Sequence, residues 1–384
     1  MPKFFQSAQH LSSLSGSVFT KFKKELQEMT QQNGEIFPFH IGDTFLQPSV
    51  QMEHISIDKY PDAHYYTKPQ GYPKLIEMLA EQYDYHPDQI LIASGATGAL
   101  HVLAQTMLEV DEEVLVLAPY WPLIEGIIKC SRAKPISVPF FSSDLHSKIP
   151  VFQIEEYLAQ FCTEKTVALY INSPNNPTSV ALDKEELEAL VRFARKYDLA
   201  IWSDEVYADL CYTKEHIPVR LLAPERTYAV HSFSKVYGMT GNRCGFILCP
   251  SAQTRLMLEK VTTYSYYSVG TASQIAASLV LVEGKSWLEQ ARAHYMHAGD
   301  MVSNILQAPK PDGGTFLFLN IEKTLQEQDI NVDQFLRKCL QHNIILAPGT
   351  SFGDGYDNYV RICFTAAPLE KVLRGVHLLR ELCG

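Results

Sequence analysis

The fold of this chain is most clearly indicated by residues 166–207, TVALYINSPNNPTSVALDKEELEALVRFARKYDLAIWSDEVY. The stretch opens with one apolar run, TVALYIN (166–172), and closes near a second, DLAIWSD (198–204). Both runs have the length of strands and barely alternate, which is typical of strands buried on both faces. The segment between them is helical in pattern, and Asp183 with Glu186 three residues later predicts a capped helix start. The stretch therefore predicts a strand, helix, strand unit of a mostly parallel sheet.

The same alternation of helical and extended patterns begins at about residue 75. Further apolar runs of strand length follow the same rule and occupy residues 89–94, 113–119, 227–233 and 244–250. Repeated units of this kind predict an α/β domain with a mostly parallel sheet of about seven strands, flanked by helices. We expect this large domain to span residues 46–285.

The pattern changes after about residue 285. Helical segments are predicted at 287–307, 332–341 and 369–382, with extended segments at 313–321, 343–349 and 359–365. This order predicts a smaller α+β domain over residues 286–384, with the N-terminal arm, residues 1–45, packed as part of it.

The composition excludes several classes of protein. The 384 residues carry a formal net charge of −10, so the basic surface that supplies most affinity for nucleic acid is missing. The eight cysteines form no CxxC pair, and neither they nor the 13 histidines cluster at metal-ligand spacing, which predicts reduced thiols and no metal site. The start of the chain shows no signal-peptide core, and no apolar run approaches about 18 residues. We expect a cytoplasmic protein without a membrane segment.

Polar side chains follow several predicted strands, and ligands of open α/β sheets bind at such strand ends. Gly95, Ala96 and Thr97 open a helix whose first N–H groups can bind an anion, although an ordinary strand-to-helix turn explains the same residues. Asn176 lies between two prolines that hold its amide, and Asp204 ends an apolar strand. These residues predict a polar site at one edge of the sheet.

The strongest signal is HSFSKVYGMTGNRCGF, residues 231–246. Lys235 lies just beyond a buried strand, and a desolvated amine has a lowered pKa and can form an imine with a carbonyl compound. Ser232, Ser234 and Arg243 supply hydroxyls and a guanidinium that suit a phosphate group. A lone Ser-x-Ser-Lys arises by chance about as often as by function, but its position after a strand favours function.

With these motifs, the chain resembles the class I/II aminotransferases. These are fold-type I pyridoxal-phosphate enzymes of the aspartate aminotransferase superfamily. The resemblance runs from about Gly42 to the end of the chain. The resemblance implies that Lys235 binds the aldehyde of pyridoxal 5′-phosphate and moves the substrate proton. It implies that Asp204 keeps the pyridine nitrogen protonated, which makes the ring an electron sink. Tyr207 and Asn176 are then the pair that hydrogen-bonds the ring 3′-oxygen.

The resemblance also assigns the remaining site residues. Trp121 stacks on the ring, and the phosphate is bound by Gly95, Ala96, Thr97, Ser232 and Arg243. Tyr66 reaches the phosphate of the neighbouring subunit, which implies a homodimer with shared active sites. Arg361, together with Asn176 and Gly42, binds the substrate carboxylate.

The chain departs from the family pattern at two places. Ser179 occupies a position where the family has glycine, so a positive φ there would add strain. Asp43 and Thr44 replace a more frequent Asp and Pro pair after Gly42, in the region of the substrate side chain.

The predicted activity is transfer of an amino group between an L-amino acid and a 2-oxo acid. The same residues also serve a lyase or a cyclising enzyme acting on an amino acid, and a non-catalytic ligand-binding relative is a further alternative. A nicotinamide dehydrogenase lacks support because no strand is followed by G-x-G-x-x-G. No arginine occurs between residues 256 and 291, where tyrosines 264, 266 and 267 lie, which favours neutral, aromatic or bulky amino donors.

Overall fold

A computed structural model describes residues 34–47, 59–141 and 149–384, together with 12, 14, 25, 27 and 29. Its larger part is built on seven strands: β1 Ile90–Ala93, β2 Glu113–Ala118, β3 Lys134–Pro139, β4 Thr166–Asn172, β5 Ala200–Asp204, β6 Thr227–Ser232 and β7 Gly245–Leu248. The helices around them are α1 Pro73–Tyr83, α2 Gly95–Met107, α3 Leu123–Cys130, α4 Ile154–Ala159, α5 Lys184–Lys196, α6 Val219–Leu222, α7 Phe233–Val236, α8 Ala252–Ser265 and α9 Thr271–Glu283.

The seven strands form one sheet in the order β1-β7-β6-β5-β4-β2-β3. Strand β7 runs antiparallel to both of its neighbours, and the other neighbouring pairs are parallel. The predicted fold class is confirmed.

The sequence analysis missed β3 because Pro135 and Pro139 interrupt its pattern. Proline is tolerated at the edge of a sheet, where β3 lies.

Both faces of this sheet are buried. Along β2, Val114 and Val116 pack in a cluster with helix α2, whereas Leu115 and Leu117 pack in another cluster with helix α5. Because apolar neighbours cover both faces, the strand sequences show no polar alternation. Helix α5 begins with the predicted capping box, in which the Asp183 N–H donates to Glu186 Oε2 at 2.7 Å.

The remaining elements are α10 Lys285–Leu306, β8 Phe316–Asn320, α11 Glu322–Gln328, α12 Val332–Gln341, β9 Ala347–Pro348, β10 Tyr359–Cys363 and α13 Leu369–Cys383. Strands β8, β10 and β9 form an antiparallel sheet in that order. The predicted extended segment 343–349 is a strand only at its last residues, Ala347 and Pro348.

The described part of the N-terminal arm packs on this second unit. Phe37 bridges to Ile344, and Phe37 and Phe39 belong to the apolar cluster formed with helices α10 and α13. Most of residues 1–33 lie outside the described residues, so the domain boundaries 1–45, 46–285 and 286–384 stay a prediction.

No helix among the described residues is both long and apolar enough to cross a membrane. The eight cysteines are free thiols. No group of three His, Cys, Asp or Glu side chains within the described ranges is placed to hold a metal ion.

Candidate active site

A cavity of about 150 Å³ opens at the carboxyl ends of β4, β5 and β6. Most of the predicted site residues line it: Ala96, Thr97, Trp121, Asn176, Asp204, Tyr207, Ser232, Lys235 and Arg243. The remaining lining residues are Asn172, Val206, Ser234 and Thr240. The structure therefore brings together side chains that are spread over nearly 150 positions of the sequence.

Asp204 is the buried acid of the cavity. The Tyr170 hydroxyl donates to Oδ2 of Asp204 at 2.7 Å, and the Val206 N–H donates to Oδ1 at 3.4 Å. Burial raises the pKa of this carboxyl to about 6 although both hydrogen bonds lower it. Such an acid can share a proton with a basic nitrogen at neutral pH.

Asn172 links Asp204 to the turn that carries Asn176. Its Nδ2 donates to the Asp204 carbonyl at 3.0 Å, and its Oδ1 accepts from the Asn176 N–H at 2.7 Å. Sequence reasoning missed both Asn172 and Tyr170. A signal was present, because Asn172 ends β4 as Asp204 ends β5 and the two residues are paired in register.

Lys235 lies in the short helix α7, directly after β6. Its amine donates a hydrogen bond to the Gly42 carbonyl of the arm. Burial lowers the pKa of Lys235, with Arg361 and Arg243 acting in the same direction and Asp43 opposing them. A lowered pKa increases the neutral fraction of the amine, which is its nucleophilic form.

Groups that suit an anion lie together at the start of helix α2. Helix α2 begins at Gly95, whose φ is +66°, and a Cβ at this position would lie 2.7 Å from Nη2 of Arg243. The guanidinium of Arg243 donates to the Thr240 carbonyl at 2.8 Å, and Ser232 lines the cavity beside it. A cation, a hydroxyl and the free N–H groups of a helix start together suit a phosphate.

Arg361 lies on β10, packed against the ring of Phe316 at 4.2 Å from the ring centroid. Its Nη1 donates to Asn176 Oδ1 at 2.9 Å and its Nη2 donates to the His40 carbonyl at 2.8 Å. Its Nε is buried without a hydrogen-bond partner among the described residues. Arg361 thus carries a positive charge with an unused donor next to Asn176 of the cavity.

Tyr66 is not brought to this cavity. Its side chain is 90% exposed, and its ring meets that of Tyr267 with 5.2 Å between centroids. This position fits the predicted role of Tyr66 in a neighbouring subunit, which stays a prediction.

A buried ion pair behind Asp204 was also absent from the sequence analysis. Glu205 accepts hydrogen bonds from Ser203 Oγ at 2.7 Å and the Val219 N–H at 3.2 Å, and His216 Nε2 lies 3.0 Å from its carboxylate. Despite burial, which raises it, the pKa of Glu205 is lowered to about 2 by His216, His231 and the Ser203 hydroxyl. Hydrogen bonds and the Glu205 charge outweigh burial to raise the pKa of His216 to about 10.

The comparison with known families and sequences points to one class of protein. The family model for aminotransferase class I and II matches residues 19–377. The aspartate aminotransferase of Bacillus subtilis is 28% identical over 90% of this chain and 91% of its own length. Aromatic-amino-acid aminotransferase 2 of Thermococcus litoralis is 31% identical, covering 79% of this chain and 80% of its own.

Solved structures agree with the fold. A Thermus thermophilus aspartate aminotransferase mutant superposes with a TM-score of 0.90 over 99% of this chain and 100% of its own, at 24% identity. The aromatic aminotransferase of Pyrococcus horikoshii has a TM-score of 0.82 and 28% identity, covering 93% of this chain and 100% of its own.

Proposed function

The chain belongs to the class I and II aminotransferase family and is an aminotransferase, and we propose that Lys235, Asp204 and Arg361 carry its reaction. The proposal rests on one observation, the arrangement of these three groups around the cavity. Lys235, whose pKa is lowered, and the buried Asp204 both line the cavity. Arg361, which has an unused donor, is hydrogen-bonded to the cavity residue Asn176. In this proposal an amino group moves between an L-amino acid and a 2-oxo acid.

The residues fit pyridoxal 5′-phosphate as cofactor. Arg243, Ser232 and the start of helix α2, here called the anion cradle, suit the phosphate of this cofactor. The buried carboxyl of Asp204 lines the same cavity and suits the pyridine nitrogen. The phosphate would be held by Arg243 with Gly95, Ala96, Thr97 and Ser232. Asp204 would bind the ring nitrogen, and Trp121 would stack on the ring face. Asn176 and Tyr207 would hydrogen-bond the 3′-oxygen. When bound, the cofactor accepts the electron pair left at the substrate Cα when the proton leaves.

In this scheme Lys235 has two roles: it binds the cofactor, and it transfers the substrate proton. Because burial lowers its pKa, its amine can take the Cα proton at Nζ and give it back near neutral pH. The Gly42 carbonyl accepts a hydrogen bond from this amine and keeps it at the substrate side of the cavity.

Arg361 binds and orients the substrate carboxylate. Asn176 and the His40 carbonyl already hold the guanidinium in one orientation, so little side-chain entropy is lost when a carboxylate binds. Packing on Phe316 screens the pair from water, which strengthens the attraction.

We propose neutral, aromatic or bulky amino acids as donors. Among the described residues that line the cavity, Arg243 is the sole arginine, and it belongs to the anion cradle. With Arg361 engaged by the α-carboxylate, this chain offers no further guanidinium in the cavity lining for a second carboxylate. The named relatives include aspartate and aromatic aminotransferases, so their names do not decide the donor.

Three further features belong to the proposal. A homodimer would bring Tyr66 of each chain to the partner's phosphate site, in keeping with the exposure of Tyr66. Residues 1–45 and 286–384 would form the small domain beside 46–285, as the shared apolar cluster suggests. The free thiols suit a reducing cytoplasm.

A donor panel tests this function. The purified holoenzyme is mixed with pyruvate, a 2-oxo acid with a single carboxylate, and each of phenylalanine, tyrosine, leucine, aspartate and glutamate in turn, and products are separated by chromatography. Transfer requires a new 2-oxo acid and equal amounts of new amino acid, with aromatic or bulky donors fastest. Release of ammonia in place of the new amino acid would contradict aminotransfer and favour the lyase alternative.

A further inference from the structure

Ser179 has an unusual backbone for a residue with a side chain. Its φ is +59°, in the left-handed region where a Cβ meets the following carbonyl, and the residue is fully buried. Glycine adopts this conformation without that cost, so serine at this position requires a compensating interaction.

The compensating interaction comes from the hydroxyl. Ser179 Oγ donates to the Phe316 carbonyl at 2.7 Å and accepts from the Phe316 N–H at 3.2 Å. Phe316 begins β8, which lies at the edge of the three-stranded sheet, so the outer side of its backbone faces no strand among the described residues. The hydroxyl therefore pairs two buried backbone groups that glycine would leave without this partner.

The backbone of Ser179 joins the same two segments. Its N–H donates to the Asn175 carbonyl at 2.8 Å, and its carbonyl accepts from the N–H groups of Asp312 at 3.0 Å and Gly313 at 3.2 Å. The turn that carries Asn176 is thus tied to the segment that leads into β8.

Both segments contact Arg361. Phe316 packs its ring under the guanidinium, and Asn176 accepts a hydrogen bond from Nη1. Ser179 is therefore bonded to Phe316 and lies in the same turn as Asn176, and Phe316 and Asn176 both contact the Arg361 guanidinium. The Phe316 ring also lies over Gly42, where an added Cβ would come within 2.8 Å of it.

We propose that Ser179 is a positioning residue for the carboxylate site, and this inference rests on the proposed role of Arg361. Its hydroxyl fixes Phe316 relative to Asn176, and the guanidinium between them is held ready for a carboxylate. The backbone strain at Ser179 is then offset by the two hydrogen bonds of its hydroxyl.

Two variants separate the hydroxyl from the strain. Ser179→Gly removes both, whereas Ser179→Ala keeps the Cβ at positive φ and removes only the hydroxyl. Ser303→Ala is a matched control. Ser303 lies on helix α10, is as buried as Ser179, and its hydroxyl donates to the Pro309 carbonyl at 2.7 Å.

The test measures the Kd of 3-phenylpropionate by calorimetry on each holoenzyme, together with KM, kcat and the thermal midpoint. We expect both Ser179 variants to weaken carboxylate binding and raise the donor KM by roughly threefold to tenfold, the range for one lost hydrogen bond, with kcat little changed. Ser179→Ala should have the lower thermal midpoint of the two. Ser303→Ala should lower the midpoint while Kd stays at the wild-type value.

Two outcomes would overturn the inference: wild-type Kd in Ser179→Gly, or an equal loss of binding in Ser303→Ala. If wild type binds the carboxylate but forms no 2-oxo acid, the proposed function fails while the Kd series still decides the role of Ser179. If wild type binds no carboxylate, the role of Arg361 fails and the inference fails with it.

Discussion

At the scale of single residues, the site depends on ionisable groups whose pKa values are moved by burial. Asp204 and Lys235 both titrate nearer to neutrality than they would in water, the acid raised and the amine lowered. Their positions at strand ends could be predicted from sequence. The Tyr170 hydroxyl could not, because it comes from the neighbouring strand and meets Asp204 only in the folded sheet. Asn172 could have been found as the polar residue that ends β4.

Asp204 makes the stability of the cofactor-free protein depend on pH. Its pKa is about 6 in the folded chain, whereas the ordinary value for an aspartate in water is 3.8. Between these values the unfolded chain releases the proton that the folded chain keeps, so stability falls as pH rises, by roughly 3 kcal/mol in all. We expect the thermal midpoint of the cofactor-free wild type to fall, relative to that of Asp204→Asn, from pH 4 to pH 7.

Scanning calorimetry of both cofactor-free proteins measures this difference. Asparagine cannot ionise, so Asp204→Asn lacks the contribution while keeping a similar shape. Parallel pH profiles of the two proteins would show that Asp204 already titrates as an exposed acid.

At the scale of elements, the strands of the large sheet differ in how clearly their sequences indicate them. Strands β1, β2, β4, β5, β6 and β7 were predicted because burial on both faces leaves apolar runs. The edge strand β3 was missed because its prolines break that pattern. Side-chain partners such as Glu205 with His216 have no periodic signal at all, since a loop brings them together.

The buried pair of Glu205 and His216 fixes the segment after β5. The pKa of His216 is raised from 6.5 to about 10, so its contribution to stability is fully present below about pH 6.5 and is lost as pH rises to 10. Removing one charge of a buried pair costs about 3 kcal/mol. We expect Glu205→Gln to lower the thermal midpoint at pH 7. Between pH 7 and pH 10 the midpoint of this variant should fall less than that of the wild type.

The matched control for this change is an exposed pair. Asp111 and Lys134 lie 2.9 Å apart with both side chains more than half exposed, so solvent screens their attraction and Asp111→Asn should leave the thermal midpoint nearly unchanged. Equal effects of Glu205→Gln and Asp111→Asn on the midpoint would mean that the buried pair has no special role.

At the scale of the whole molecule, three exposed tyrosines are available for contact with the proposed second subunit. Tyr65, Tyr66 and Tyr264 are 73%, 90% and 93% exposed. If Tyr66 completes the partner's site, Lys235→Ala and Tyr66→Ala fall on the same site of a mixed dimer. One site then carries both changes and the other carries neither.

Mixing the two inactive variants tests this arrangement. After they are dissociated and reassembled together, we expect activity near a quarter of the wild-type value, because about half of the dimers are mixed and each has one intact site. Each variant reassembled alone is the control. Activity no higher than the mean of those controls, or a monomer by sedimentation, would exclude the shared site.

In the proposed function Lys235 holds the cofactor through an imine, and chemical reduction of the holoenzyme can locate that bond. The holoenzyme is reduced with borohydride, which turns an imine into a stable amine, then digested with trypsin and analysed by mass spectrometry. We predict the pyridoxyl-phosphate mass on the peptide that contains Lys235, with no such label on any peptide of Lys235→Ala. Label on another lysine, or none in a preparation supplied with the cofactor, would contradict the account.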